Sequence, residues 1–100
     1  MRTHTISVTV EADAIRVQPD TLVMTTQDEA QWAATNGRPF SIEFEGAGPF
    51  GDGRLGFTKA VGRLKPIAKG RFKYTVVSED DPTIRLDPVI VVDPPPTTGD

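Results

Sequence analysis

Cysteine is absent from these 100 residues. That removes disulfides, thiolate metal ligands and cysteine nucleophiles together. Histidine occurs once, as His4. A Ser-His triad built on Ser41 or Ser78 would have to recruit it, and neither serine has a histidine near it in sequence. No apolar run is long enough for a membrane span or for the core of a signal peptide, so the expectation is a cytoplasmic protein with no membrane insertion. The glycine-rich segment GAGPFGDG, Gly46 to Gly53, lacks the Gly-Lys-Ser/Thr ending of a phosphate loop. A formal charge of −3 supplies no general excess of base for nucleic acid.

What is present is strand. Hydrophobic residues make up 37% of the chain, enough for one modest core. Ile6, Val8 and Val10 alternate with Ser7 and Thr9, behind a frayed start over Met1 to His4. Ile15 and Val17 continue in extended form to a turn at Pro19-Asp20. Leu22, Met24 and Thr26 form another alternating set, and Ala30, Trp32 and Ala34 share a face closed by the Asn36-Gly37 turn. Phe40, Ile42 and Phe44 alternate with Ser41, Glu43 and Glu45, the cleanest amphipathic strand in the sequence. Phe72, Tyr74 and Val76 alternate with Arg71, Lys73 and Thr75, and SEDDPT follows as an acidic turn. The run Val89 to Val92 reads as a strand buried on both sides. Thr58 to Lys65 reads equally as a short helix, ended before Pro66, or as a strand with a bulge at Gly62. About seven short strands separated by turns predict an all-β, Greek-key β-sandwich over residues 1–93, with Trp32, Phe40, Phe44, Phe72 and Tyr74 in its core. Residues 94–100 read as a Pro-rich disordered tail.

The segment IRVQPDTLVMTTQDEAQWAATNGRPFSIEF resembles the N-terminal half of a cupredoxin, the plastocyanin and azurin family. There a strand leads through a Pro turn to an apolar strand, then to a Trp/Phe-bearing strand, an Asn-bearing loop and His-x-Val-x-Phe. GRFKYTVVSED resembles the stretch in which aromatic residues precede the copper-binding cysteine, and LDPVIVV resembles the closing strand. The resemblance implies the sandwich fold. It also implies where copper ligands would stand: Phe40 at the first histidine, Val76 at the cysteine, Glu79 at the second histidine, and Leu86 near the axial methionine. Blue copper needs a thiolate and imidazoles, and none of these residues supplies either. Gln27, where the family usually has glycine, is a smaller departure.

No other constellation replaces the lost chemistry. Glu79, Asp80, Asp81 and Asp87 could gather oxygen ligands for Ca²⁺, yet no EF-hand spacing is present, and a solvated acidic loop is the expectation. Adjacent acids in an exposed turn lack the desolvated pocket that acid–base catalysis requires. From Gly53 to Ser78 there are seven basic residues and no acid, while the other 74 residues hold all fourteen acids and four bases. Such a segment is a solvated face or meets an acidic protein, a phosphate or a membrane surface. The expectation is therefore a non-catalytic, copper-free binding or adaptor module with no cofactor and no nucleic-acid partner, monomeric or weakly oligomeric. It would recognise a protein through the Asn36–Pro39 turn, the Gly46–Gly56 loop and Ser78–Leu86, with Arg38, Phe50, Arg54, Glu79, Asp80, Asp81 and Arg85 as contact residues. A metal or redox protein with a non-standard site and a structural oligomer subunit are the alternatives.

Overall fold

Alternation of large apolar and polar residues leaves each segment one stable option, a strand with one face turned inward. The computed structural model describes residues 2–94, and these pair into nine strands and one helical turn. The small sheet holds β1 (Thr3–Val10), β2 (Ile15–Gln18) and β4 (Glu29–Ala34), with β1 central, antiparallel to β2 and parallel to β4. The large sheet runs β3 (Thr21–Thr25), β9 (Val89–Asp93), β7 (Gly70–Ser78), β5 (Phe40–Phe44) and β6 (Arg54–Leu55), and the short β8 (Arg85–Leu86) also pairs with β7. The chain crosses between sheets at Pro19-Asp20, the turn the sequence marks. The predicted tail falls outside the described residues from position 95 onward.

Inward faces of both sheets form one core of Ile6, Val8, Leu22, Met24, Trp32, Phe40, Ile42, Tyr74, Val76, Ile90 and their neighbours. Each such side chain contributes roughly 1.5–3 kcal/mol by leaving water. Trp32 bridges the sheets: its ring meets Tyr74 edge-on at 5.5 Å, and its Nε1–H donates to the buried Tyr74 hydroxyl at 3.3 Å. Burial pushes the Tyr74 phenol well above its usual range. Of the expected core aromatics, Phe72 is only partly buried. Phe72 packs against the core's edge alongside Phe50, which meets Trp32, and Phe57, which meets Phe40.

Three expectations are corrected. Val89 to Val92 is not buried on both sides: Ile90 and Val92 point inward, but Val89 and Val91 lie half-exposed on the outer face. That face also carries Val23, 56% exposed. Among the described residues nothing packs over the outside of the sheet there, so lateral pairing to β3 and β7 leaves Val89 and Val91 half-exposed. The segment after Gly56 is a single helical turn, α1 (Phe57–Ala60), shorter than the helix considered. Its continuation is pinned by a bridge in which Ala30 and Leu64 exchange backbone hydrogen bonds at 2.8 Å. Arg2 to His4 are not frayed. β1 begins at Thr3, and the buried Asp28 carboxylate accepts hydrogen bonds from the Arg2 and Thr25 N–H groups and from His4 Nε2 at 3.0 Å.

Asp28 therefore fastens the start of β1 to the turn between β3 and β4. The His4 bond and the Thr25 N–H hold its pKa down to about 2. A depressed carboxylate stabilises the fold above its unfolded pKa, and that contribution disappears as pH falls through the folded value. Denaturant titrations should accordingly lose this increment between about pH 4 and pH 2. Asp28→Ala should cost about 1–3 kcal/mol at neutral pH, by leaving buried donors unpaired, and should flatten the acid limb.

Candidate functional site

At the Ser78 end of the sandwich the register of the large sheet brings together the positions at which the family resemblance implies copper ligands. Phe40 opposes Ser78 and Ile42 opposes Val76 across β5 and β7, and Val76 opposes Leu86 across β7 and β8. The Glu79 N–H donates to the Pro39 carbonyl at 3.2 Å, which closes the loop after β7 onto the turn before β5. All four positions thus cluster, as the resemblance implies.

Their chemistry is apolar. Phe40 and Val76 are fully buried and Leu86 is partly buried. The Phe40 ring meets Phe57 edge-on at 5.2 Å, and Ala60 fills the core beside them. Glu79 lies outside, exposed to solvent. One exposed carboxylate beside three hydrocarbon side chains offers neither a thiolate nor an imidazole, so this donor set does not fit a blue-copper ion. The positions work as a plug that completes the core.

The acidic loop is built by short-range hydrogen bonds. The Asp81 N–H donates to Ser78 Oγ at 3.3 Å, and Asp81 Oδ1 accepts from the Thr83 N–H at 3.1 Å and Thr83 Oγ1 at 2.7 Å. The Thr83 hydroxyl and N–H lower the Asp81 pKa. The Ser78 N–H donates to the Ile84 carbonyl and Ile84 N–H to the Asp81 carbonyl, so residues 78–84 form a closed, self-bonded turn. Asp87 is turned away, accepting from Thr75 Oγ1 at 2.8 Å. The four acids considered for Ca²⁺ do not converge: among the described residues no group of three His, Cys, Asp or Glu side chains could hold a metal ion. Ser41 and Ser78 are buried near the Phe40 end, whereas His4 sits at the far end of β1 on Asp28, so they form no triad.

Of the seven expected contact residues, Arg38, Glu79, Asp80, Asp81 and Arg85 are exposed at this end. Phe50 is not part of it, whereas Arg54 reaches it, lining a groove with Ser78, Glu79, Pro82 and Arg85. The Gly46–Gly53 loop leaves β5 after Phe44, the partner of Tyr74, and folds at the opposite end of the sandwich. Phe50 packs against Trp32 and Phe44, with ring centroids 6.0 and 6.1 Å away. Arg54 lies on the outer face of β6, 3.8 Å from Glu43. Glycine makes the turn possible: Gly48 has φ +64°, and a Cβ there would meet the Phe44 ring at 2.5 Å. Sequence order suggested a single loop cluster, and only the register shows that this loop turns at the far end. Asn36 reads in the sequence as a plain turn residue, yet its Nδ2 donates to the Val10 carbonyl at 2.8 Å and locks the turn to β1. The Asn-Gly pair carried the signal.

No family model and no curated protein matches the chain. Among solved structures it is similar to copper(I) amicyanin bearing a methionine-to-alanine substitution, at 19% identity and TM-score 0.55, over 89% of this chain and 82% of that one. It is also similar to reduced amicyanin with a proline-to-phenylalanine substitution, at 19% identity and TM-score 0.54 over the same shares. At this level the likeness is one of fold. If Phe40 is a core plug, Phe40→Ala should destabilise the protein by about 3–5 kcal/mol in a urea midpoint measurement. An exposed position such as Arg38→Ala should stay within about 0.5 kcal/mol of the unaltered protein.

Proposed function

From a cupredoxin β-sandwich whose ligand positions hold Phe40, Val76, Glu79 and Leu86, we propose a non-catalytic binding or adaptor module that recognises a protein partner. The observation that carries this reading is the apolar plug: the end of the fold that would hold copper is sealed by Phe40 and Val76. The loops above it stay exposed on a rigid frame. Rigidity matters because ordering a loop on binding costs affinity, and the self-bonded turn over 78–84 is already ordered. Arg38, Glu79, Asp80, Asp81 and Arg85 then form a mixed-charge rim, which steers encounter and sets register more than it adds affinity. No desolvated carboxylate, nucleophile or imidazole stands among them, so recognition needs no reaction.

Affinity capture with the intact protein as bait tests this reading. Asp80→Ala/Asp81→Ala, which leaves the core untouched, should lose at least one captured partner or weaken it by about tenfold. Capture that is unchanged for every partner would sink the assignment to this loop. Titrating Cu²⁺ and Ca²⁺ should leave the melting temperature in place, because a ligand of the native state must raise it. A rise of more than about 5 °C at micromolar metal would favour a metal protein instead.

A further inference from the structure

Two features at opposite ends of the sandwich match each other. The first is a projection. Ile67 is 76% exposed, the most exposed large hydrophobic residue described, and it stands between Lys65 and Lys69. The projection is fixed: the Ile67 N–H donates to the Pro49 carbonyl at 2.7 Å, Pro66 is buried beside it, and the side chain lies across Gly51. Lys65 and Lys69 form no ion pair among the described residues, in contrast to Arg54 and Lys59 of the same basic segment. An aliphatic tip flanked by two unpaired ammonium groups gains by meeting an apolar hollow with acidic edges.

The second feature is a hollow with both apolar and acidic groups in its lining. A groove of about 500 Å³ lies between the β1–β2 turn and the β8 strand, lined by Ala14, Ile15, Ile84 and Leu86 and by the Asp13 and Asp81 carboxylates and Thr83. Arg85 also lines it, held back by donating from Nε to the Pro82 carbonyl at 3.0 Å. The groove adjoins Ser78 at one end of β7, while Lys69 precedes Gly70 at the other. Eight residue steps along β7 place the two about 26 Å apart, so one copy cannot satisfy itself.

We infer that the Lys65–Lys69 tip of one copy docks in the Ala14–Leu86 groove of a second copy, giving weak head-to-tail self-association. The contact is heterologous, so each copy keeps an open tip or groove after the first pairing. It rests on the binding reading above and names a second copy as one occupant of that end. One aliphatic side chain and two pairs of charges make a small contact, below about 1,200 Å² and of the transient class. Exposed charges supply much of it, so salt must weaken it.

Sedimentation of the full chain tests this. At about 20 mM salt the weight-average sedimentation coefficient should climb with protein concentration into the millimolar range, and about 0.5 M salt should weaken association at least tenfold. Ile67→Ser should weaken it by about tenfold. Lys65→Glu/Lys69→Glu and Asp13→Lys/Asp81→Lys should each be monomeric alone. Mixed together, each tip meets a groove of opposite charge and association should return, which also shows that both variants are folded. A wild-type chain that stays monomeric, or association that these variants leave unchanged, overturns the proposal. Monomers that bind phosphatidylserine vesicles through Lys65, Ile67 and Lys69 would overturn it too and assign the tip to a membrane. Asp80 lies outside the groove, so Asp80→Ala separates the two readings: it should weaken capture of a different partner and leave self-association in place.

Discussion

The contact between Trp32 and Tyr74 is the constraint on which the other packing depends. Trp32 comes from β4 in the small sheet and Tyr74 from β7 in the large one. A shared hydrogen bond fixes how the two rings meet, and the buried hydroxyl and indole N–H satisfy each other. Replacing either partner alone would strand a polar atom in the core. With that pair set, Phe44 and Phe50 stack around it, and the Gly46–Gly53 loop must fold tightly enough to deliver Phe50. The glycines of the loop therefore serve the core, and the plug at Phe40 closes the same core from the other end.

Backbone frame and side-chain chemistry can be considered separately in this molecule. The sandwich keeps the frame on which the similar amicyanins carry copper, and the register still brings the four ligand positions to one end. What differs from a blue-copper site is the side-chain chemistry at those positions. Filling a metal site with hydrocarbon removes the need to desolvate a charged centre and adds apolar burial. On the proposed binding reading, such a frame presents its loops from a rigid scaffold.

Much of the architecture is legible in the sequence because period-two alternation is a local signal. Phe40–Ile42–Phe44 and Phe72–Tyr74–Val76 state their inward faces without knowledge of their partners. Features resting on distant pairs are not legible in that way. His4 and Asp28 lie 24 residues apart and meet only because β1 and β4 run parallel. Whether Val89 and Val91 are covered depends on what lies outside the sheet, which a run of β-branched residues does not record. The Gly46–Gly53 loop fails for the same reason, since its end of the sandwich is decided by the Phe44–Tyr74 register. At the candidate site the ligand positions were readable through family resemblance, whereas the hollow beside Ile15 and Leu86 arises from two segments about seventy residues apart and has no local signature.

The place of β9 carries a consequence for biosynthesis. It lies between β3 and β7, parallel to one and antiparallel to the other. The ribosome delivers β3 early and β9 nearly seventy residues later, so β3 has no partner in the large sheet until Val89–Asp93 has left the exit tunnel. A nascent chain stalled before that point exposes the edges of β3 and β7 together with the inward faces of Leu22 and Met24. Such edges are what a chaperone must shield during synthesis. Completion of this sandwich is thus a late, all-at-once event, gated by arrival of a strand that belongs in the middle.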